Sequence, residues 1–334
     1  MSFISYAQNC EDVLLWRVLK GVQRGVYVDV GASHPFFDSV TYAFYERGWR
    51  GINIEPVAAD HALLQQHRTG DINLNIAAGD RITTLPLYQF GVRGLATLSE
   101  SVTERHRRQS GLLASPTEVK VAPLRDICAE HVTGEIHFLK IDVEGSEASV
   151  LRGMDFSRWR PWVLLIEATA PNSQEATHSE WEPLLLEQGY VYCYFDGLSR
   201  YYVARERQDA LAWGLTCQPN IFDDYVSGHV VSARRELEVA KASLEEVTRR
   251  WDAIPGGHDV AARIAGLEKQ LSTNEAELAA AREAWGISQI AIQTARLTIA
   301  DLEARLATLK GAAFFKTVET LRALTQRLSR RSNQ

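Results

Sequence analysis

The apolar positions along this chain change their period once. Up to about residue 205, short β-branched runs alternate with stretches whose apolar residues fall three and four apart; beyond about residue 230 only the helical spacing continues. Strands alternating with helices predict an α/β fold whose mostly parallel sheet carries helices on both faces. Residues 11–19 read as a short amphipathic helix, and Gly25-Val26-Tyr27-Val28-Asp29-Val30-Gly31 reads as the first strand. Residues 38–47 read as a helix, 52–56 as a second strand, 59–68 as a helix and 71–80 as a third strand and turn. Residues 88–117 have weak periodicity and read as an insertion near the site. The apolar run 137–141 is a further strand, 147–152 a helix, 162–167 a fifth strand and 179–188 a helix. Residues 190–195 and 200–204 suit a hairpin turned by Asp196-Gly197.

Four strands of this pattern stop at an acid: Asp29, Glu55, Asp142 and Glu167. In an open parallel sheet the carboxyl ends of the strands are where ligands bind. Gly31 allows a sharp turn of the backbone beside a ligand. Ser33-His34-Pro35 stands where a dinucleotide fingerprint would place further glycines, so the pattern argues against NAD and for a nucleoside ligand without a pyrophosphate. Glu55 lies 24 residues beyond Gly31, a spacing that suits hydrogen bonds to ribose hydroxyls. The small residues Ala77, Ala78 and Gly79 leave room for a flat base. The densest stretch is Lys140-Ile141-Asp142-Val143-Glu144-Gly145-Ser146-Glu147, where an apolar run ends in three carboxylates and Gly145 or Ser146 caps a helix. Arg105-His106-Arg107-Arg108 reads either as a solvated helix face or as a holder for an anionic substrate such as a sugar phosphate.

Composition narrows the class without naming a function. A hydrophobic fraction of 46% and a charged fraction of 23% are those of a soluble globular protein. The net charge of −6 argues against a general nucleic-acid binder. Cys10, Cys128, Cys193 and Cys217 have no CxxC spacing, so neither a zinc site nor a disulfide framework is indicated. The first residues lack a basic segment followed by an apolar core, and no run of about 18 apolar residues occurs. A cytoplasmic location is the resulting expectation.

Several motifs line up in order: Val28-Asp29-Val30-Gly31-Ala32 with His34-Pro35, Gly48-Trp49-Arg50-Gly51 with Ile54-Glu55-Pro56, Asn75-Ile76-Ala77-Ala78-Gly79, and Lys140-Ile141-Asp142-Val143-Glu144-Gly145. Together with the opening Tyr6-Ala7-Gln8-Asn9-Cys10-Glu11-Asp12, this set resembles the FkbM family of S-adenosylmethionine-dependent methyltransferases over about residues 2–205. The resemblance implies a class I, Rossmann-like methyltransferase fold with seven strands, the last antiparallel, and O-methyl transfer to a hydroxyl of a sugar or small-molecule acceptor such as a glycan intermediate. It implies that Asp29, Gly31 and Ala32 shape the methionine end of the cofactor pocket and that Glu55 binds the ribose. Asn75, Ala77 and Ala78 would border the adenine, and Asp142 would sit where cofactor and acceptor meet. A sulfonium is cationic, so a carboxylate-rich crevice favours it. A sugar hydroxyl is a poor nucleophile, so a base or a divalent metal such as magnesium should activate it, with Asp142, Glu144, Glu167 and His34 as candidates. The rival for His34 is a turn residue packed under Pro35. The rival for the whole chain is a non-catalytic methyltransferase-like scaffold that assembles partners through its tail.

That tail reads as helix broken at Pro255-Gly256-Gly257. After a methyltransferase-like domain at residues 1–225, residues 230–254 form a helical linker in which Leu237, Ala240, Leu244, Val247, Trp251 and Ile254 repeat three and four apart. Residues 260–310 hold an unbroken heptad register with a positions Ile264, Leu271, Leu278, Trp285, Ile292, Ile299 and Leu306, which predicts a coiled coil about 70 Å long. Its stripe is expected to drive self-association, the alternative being a hairpin with residues 233–254. Residues 312–334 read as a basic amphipathic helix, suited to peripheral contact with an anionic membrane surface or to a partner such as a glycosyltransferase.

Overall fold

A computed structural model describes residues 2–91, 94–111, 113–171 and 173–252, with a few positions between 266 and 276. The chain divides into two units, Met1–Tyr225 and Val226–Gln334. The expected coiled coil of residues 260–310 and terminal helix of 312–334 lie outside the described residues, apart from those few positions.

The first unit opens with β1 (Phe3–Ser5), α1 (Glu11–Leu19) and β2 (Val26–Val30), followed by α2 (Tyr42–Glu46), β3 (Arg50–Ile54), α3 (Ala58–His67) and β4 (Ile72–Leu74). Then come β5 (Ala77–Gly79), β6 (Thr83–Gln89), α4 (Glu100–Ser110), β7 (Ser115–Pro123) and α5 (Leu124–His131). The unit continues with β8 (Phe138–Ile141), α6 (Glu147–Arg152), β9 (Val163–Glu167), α7 (Glu182–Glu187), β10 (Tyr190–Phe195), β11 (Ser199–Ala204) and α8 (Gln208–Leu211). Seven of these strands form one sheet in the order β10-β11-β9-β8-β2-β3-β4. The pairings from β4 through β9 are parallel, and β11 runs antiparallel to both β9 and β10. The sheet is therefore mixed, which corrects the expectation of a mostly parallel one. The short turn at Asp196-Gly197 sends β11 back along β10, and a hairpin that tight can only join antiparallel strands. The β10–β11 register shifts between Tyr192 and Tyr194.

Alternation of side chains sorts the sheet into two cores. Tyr27, Phe138, Val163, Leu165, Tyr201 and Val203 face one way and pack with Leu14, Leu15, Phe44 and Trp49. Val28, Leu139, Leu164, Ile166, Tyr202 and Ala204 face the other way and pack with Leu124, Ile127, Val150, Leu151 and Leu185. A period of two with both faces covered is what a central sheet in an α/β layer requires.

The expected third strand, 71–80, is two strands. Ile72–Leu74 extends the large sheet beside β3, while Ala77–Gly79 pairs with β7 in a separate three-stranded sheet of order β5-β7-β6. The weakly periodic stretch 88–117 holds the end of β6, α4 and the start of β7.

The second unit is described through α9 (Gly228–Asp252). Val230, Ala233, Leu237, Ala240 and Leu244 are its buried apolar side chains, spaced three and four apart. No helix among the described residues is long and apolar enough to cross a membrane.

Candidate active site

Strand register decides which residues meet at the carboxyl edge of the sheet. Val30 pairs with Ile54 and with Ile141, and Ile141 with Ile166. The residues one step further, Gly31, Glu55, Asp142 and Glu167, therefore leave the sheet side by side. In front of them is a cleft of about 690 Å³, its open mouth included, lined among others by Gly31, Glu55, Ala77, Ala78, Asp142 and Glu144. Gly94, Ala96 and Leu98 close it from the segment between β6 and α4, so the insertion does reach the site. Asp29, Ala32, His34, Asn75 and Glu167 are not part of that lining.

Gly31 has φ +78°, and a Cβ there would lie 1.8 Å from the carbonyl oxygen of Asp142. The turns after β2 and β8 thus touch backbone to backbone, which no other residue permits. Glu55 is buried, and its two oxygens accept hydrogen bonds from Ser33 N and Val57 N, each at 2.7 Å. Burial pushes its carboxyl up to about 7, against the pull of those two donors. Asn75 is exposed and braces the same turn, donating to the carbonyls of Glu55 and Pro56 at 2.9 and 3.0 Å. Ala77 and Ala78 are buried in the cleft wall, as small residues beside a flat group should be.

Behind the cleft lies a buried polar network that the sequence did not reveal. Asp29 accepts a hydrogen bond from Thr41 Oγ1 at 2.9 Å, and Thr41 accepts one from Arg68 at 3.1 Å. Arg68, fully buried, also donates to Tyr27 Oη at 2.6 Å, to the Pro35 carbonyl at 3.1 Å and to Asp71 at 3.0 Å. Lys140 stands beside Asp29 across the β2–β8 ladder. Its Nζ lies 3.3 Å from Asp29 Oδ1 and 3.3 Å from Asp142 Oδ2, and donates to the Gly31 carbonyl at 2.7 Å. Burial works against the Lys140 charge, but Asp142 and Asp29 outweigh it and raise its affinity for the proton.

Beyond Asp142 the acids crowd. Glu144 has φ +54°, the left-handed region that a non-glycine residue adopts only when its surroundings impose it. Thr97 Oγ1 donates to its carbonyl at 2.7 Å, which holds this turn against the insertion. Glu147 reaches back from the first turn of α6 to accept from Val143 N and Gly145 N at 3.3 and 3.0 Å. Glu144 Oε2 and Glu167 Oε2 are buried and accept no hydrogen bond. Burial, and then the Asp142 charge, hold both carboxyls well above their usual range, Glu144 at about 9.

His34 points at its own turn: Nδ1 accepts hydrogen bonds from Phe36 N and Phe37 N, both at 3.1 Å, and the ring packs on both phenylalanines. Of the arginines, Arg107 and Arg108 pair with Glu104 on the surface at 2.8 Å, and Arg105 lies 3.1 Å from Glu175. That is the solvated-face reading of the basic stretch.

The cleft is bordered by a side-chain-free turn at Gly31, the strand-end carboxyl of Glu55, a wall of alanines and the carboxyls of Asp142 and Glu144. Residues 29–192 match the family described as Methyltransferase FkbM domain. That span takes in every candidate residue above and supports a methyltransferase. No curated protein matches the chain.

Proposed function

From the FkbM methyltransferase match, we propose that this chain binds S-adenosylmethionine and transfers its methyl group to a hydroxyl of a sugar or glycan intermediate. The observation that carries the reading is the line of Gly31, Glu55 and Asp142 along one cleft at the carboxyl edge of the sheet. Glu55 is the acceptor for the ribose hydroxyls, Ala77 and Ala78 give the base a flat wall, and Asp142 gives the cation a carboxylate beside it. Bound S-adenosylmethionine supplies a methyl group whose C–S bond breaks, the electron pair staying on sulfur, as the acceptor oxygen bonds to its carbon. The protein aligns the acceptor with that methyl group and takes its proton. Asp142, Glu144 and Glu167 are the groups within reach of that task; His34, turned to its own backbone, is the weaker candidate.

Calorimetry with S-adenosylmethionine tests binding, and mass spectrometry of nucleotide-sugar mixtures incubated with labelled methyl donor tests turnover. Asp142→Asn should fold and lose most turnover. A chain that shows no affinity for the cofactor at millimolar concentration would be a scaffold instead.

A further inference from the structure

Three carboxylates at the ends of β8 and β9 converge, and only Asp142 among them has a cation beside it, the Lys140 ammonium at 3.3 Å. Asp142, Glu144 and Glu167 each offer an oxygen, and the three oxygens lie within 4.8 Å of one another. Ligands opposite one another around a cation stand about two bond lengths apart, which is ~4.2 Å for magnesium and ~5 Å for calcium. The 4.8 Å limit falls inside the span of a calcium sphere and a few tenths of an ångström outside an ideal magnesium one, so the three oxygens can share one cation after a small inward shift.

Glu167 adds an independent observation. It is only 8% exposed, and its Oε2 accepts no hydrogen bond. A buried carboxylate oxygen without a donor is costly, and native structures seldom leave one so. Glu144 Oε2 is in the same position. Lys140 does not answer for them: it donates to the Gly31 carbonyl and stands 3.3 Å from Asp29 and from Asp142, with neither glutamate among its partners. The left-handed backbone of Glu144, φ +54°, is part of the turn that brings this carboxylate back towards the strand ends.

We propose that Asp142, Glu144 and Glu167 form a binding site for one hard divalent cation of the magnesium and manganese class. All three donors are carboxylate oxygens, with neither His nor Cys among them, which selects hard cations over zinc or copper. Asp142 and Glu144 line the cleft while Glu167 stands behind it, so a cation held by all three has one side towards the acceptor. Its role there, polarising the acceptor hydroxyl so that the proton leaves more readily, rests on the methyl-transfer reading above. Its binding does not.

The test uses the full chain, stripped of metal with EDTA and titrated with manganese chloride by calorimetry and by electron paramagnetic resonance of the bound ion. One manganese per chain is expected, displaced by magnesium, with the thermal midpoint rising as the site fills. Glu167→Gln keeps the side-chain volume and should weaken manganese at least tenfold and lose the thermal shift. Glu144→Gln serves the same purpose should the first variant fail to fold. No uptake by the wild type at millimolar manganese overturns the proposal and leaves Asp142 and Glu167 sharing a proton; equal uptake by a folded variant overturns it as well. Titration with S-adenosylmethionine in EDTA separates the two ideas. Cofactor binding without manganese binding sinks the cation site alone, and the reverse sinks the methyl-transfer reading alone.

Discussion

Lys140 holds two strand tips together with one charge. With its side chain 10% exposed, it neutralises Asp29 at 2% and Asp142 at 41%. The exposed partner is screened by water, so most of the value lies with Asp29. Replacing Lys140 with Met should leave Asp29 buried without its cation, and removing one partner of a buried pair costs about 3–5 kcal/mol. Urea unfolding measures this, and adding Asp29→Asn to Lys140→Met should recover part of the loss. Additive losses in that cycle would mean that the two side chains do not interact. Glu55 is the residue whose chemistry can be followed by pH. Its carboxyl, pushed up to about 7 by burial, must be ionised to accept fully from ribose hydroxyls. Affinity for S-adenosylmethionine should therefore tighten as pH rises from 6 to 8. Glu55→Gln should bind more weakly, by about 1.5–3 kcal/mol, and without that slope. Calorimetry across the range decides; a flat wild-type profile would remove Glu55 from the ribose. The sequence placed Glu55 by its distance from Gly31, a local signal. It could not show Arg68, whose partners Pro35, Tyr27 and Thr41 lie 33, 41 and 27 positions away. A buried arginine looks like any surface arginine until the fold brings those acceptors to it.

At the scale of elements, the central strands that the sequence showed are those buried on both faces. Val26–Val30 and Val163–Glu167 are β-branched or aliphatic runs stopped by a glycine or an acid, and both lie inside the large sheet. The strands it merged or missed are short or carry proline. Ile72–Leu74 and Ala77–Gly79 have three residues each, too few for a period to show. In β6, Pro86 argues against a strand, yet β6 is the outer strand of its sheet, where a missing N–H is tolerated. The first turn of α1 carries a pH-dependent liability. Glu11 and Asp12 are both buried there, Asp12 accepting from Ser5 Oγ at 2.6 Å and Tyr6 N at 2.7 Å. Asn9 ties the turn to the Asp196 carbonyl of the β10–β11 hairpin at 3.2 Å. Burial, and then the nearby Asp196, push Glu11 up to about 8; burial pushes Asp12 up to about 7. A carboxyl raised above its unfolded value contributes stability that is whole below about pH 4 and is lost as pH climbs through the folded value. The thermal midpoint should therefore fall between pH 5 and 8.5. Glu11→Gln, which keeps the acceptor for Asn9 N, should flatten the upper part of that fall. A variant whose profile overlays the wild type would show that Glu11 ionises freely.

For the whole molecule, the heptad register of residues 264–309 sets the expectation of self-association. Its seven a positions are apolar, and burying each large side chain contributes roughly 1.5–3 kcal/mol before ordering costs. Replacing Ile292 and Ile299 with Asp should dissociate the full chain, read as a drop in mass by light scattering coupled to gel filtration; a monomeric wild type would end the idea. The mixed sheet bears on the same question from the other side. At one margin stands β4, three residues long; at the other stands β10, six residues long but with its register broken between Tyr192 and Tyr194. A foreign strand seeking a template finds too little backbone at the first and a kinked one at the second. Growth of fibrils by strand addition is blunted at both margins of the seven-stranded sheet.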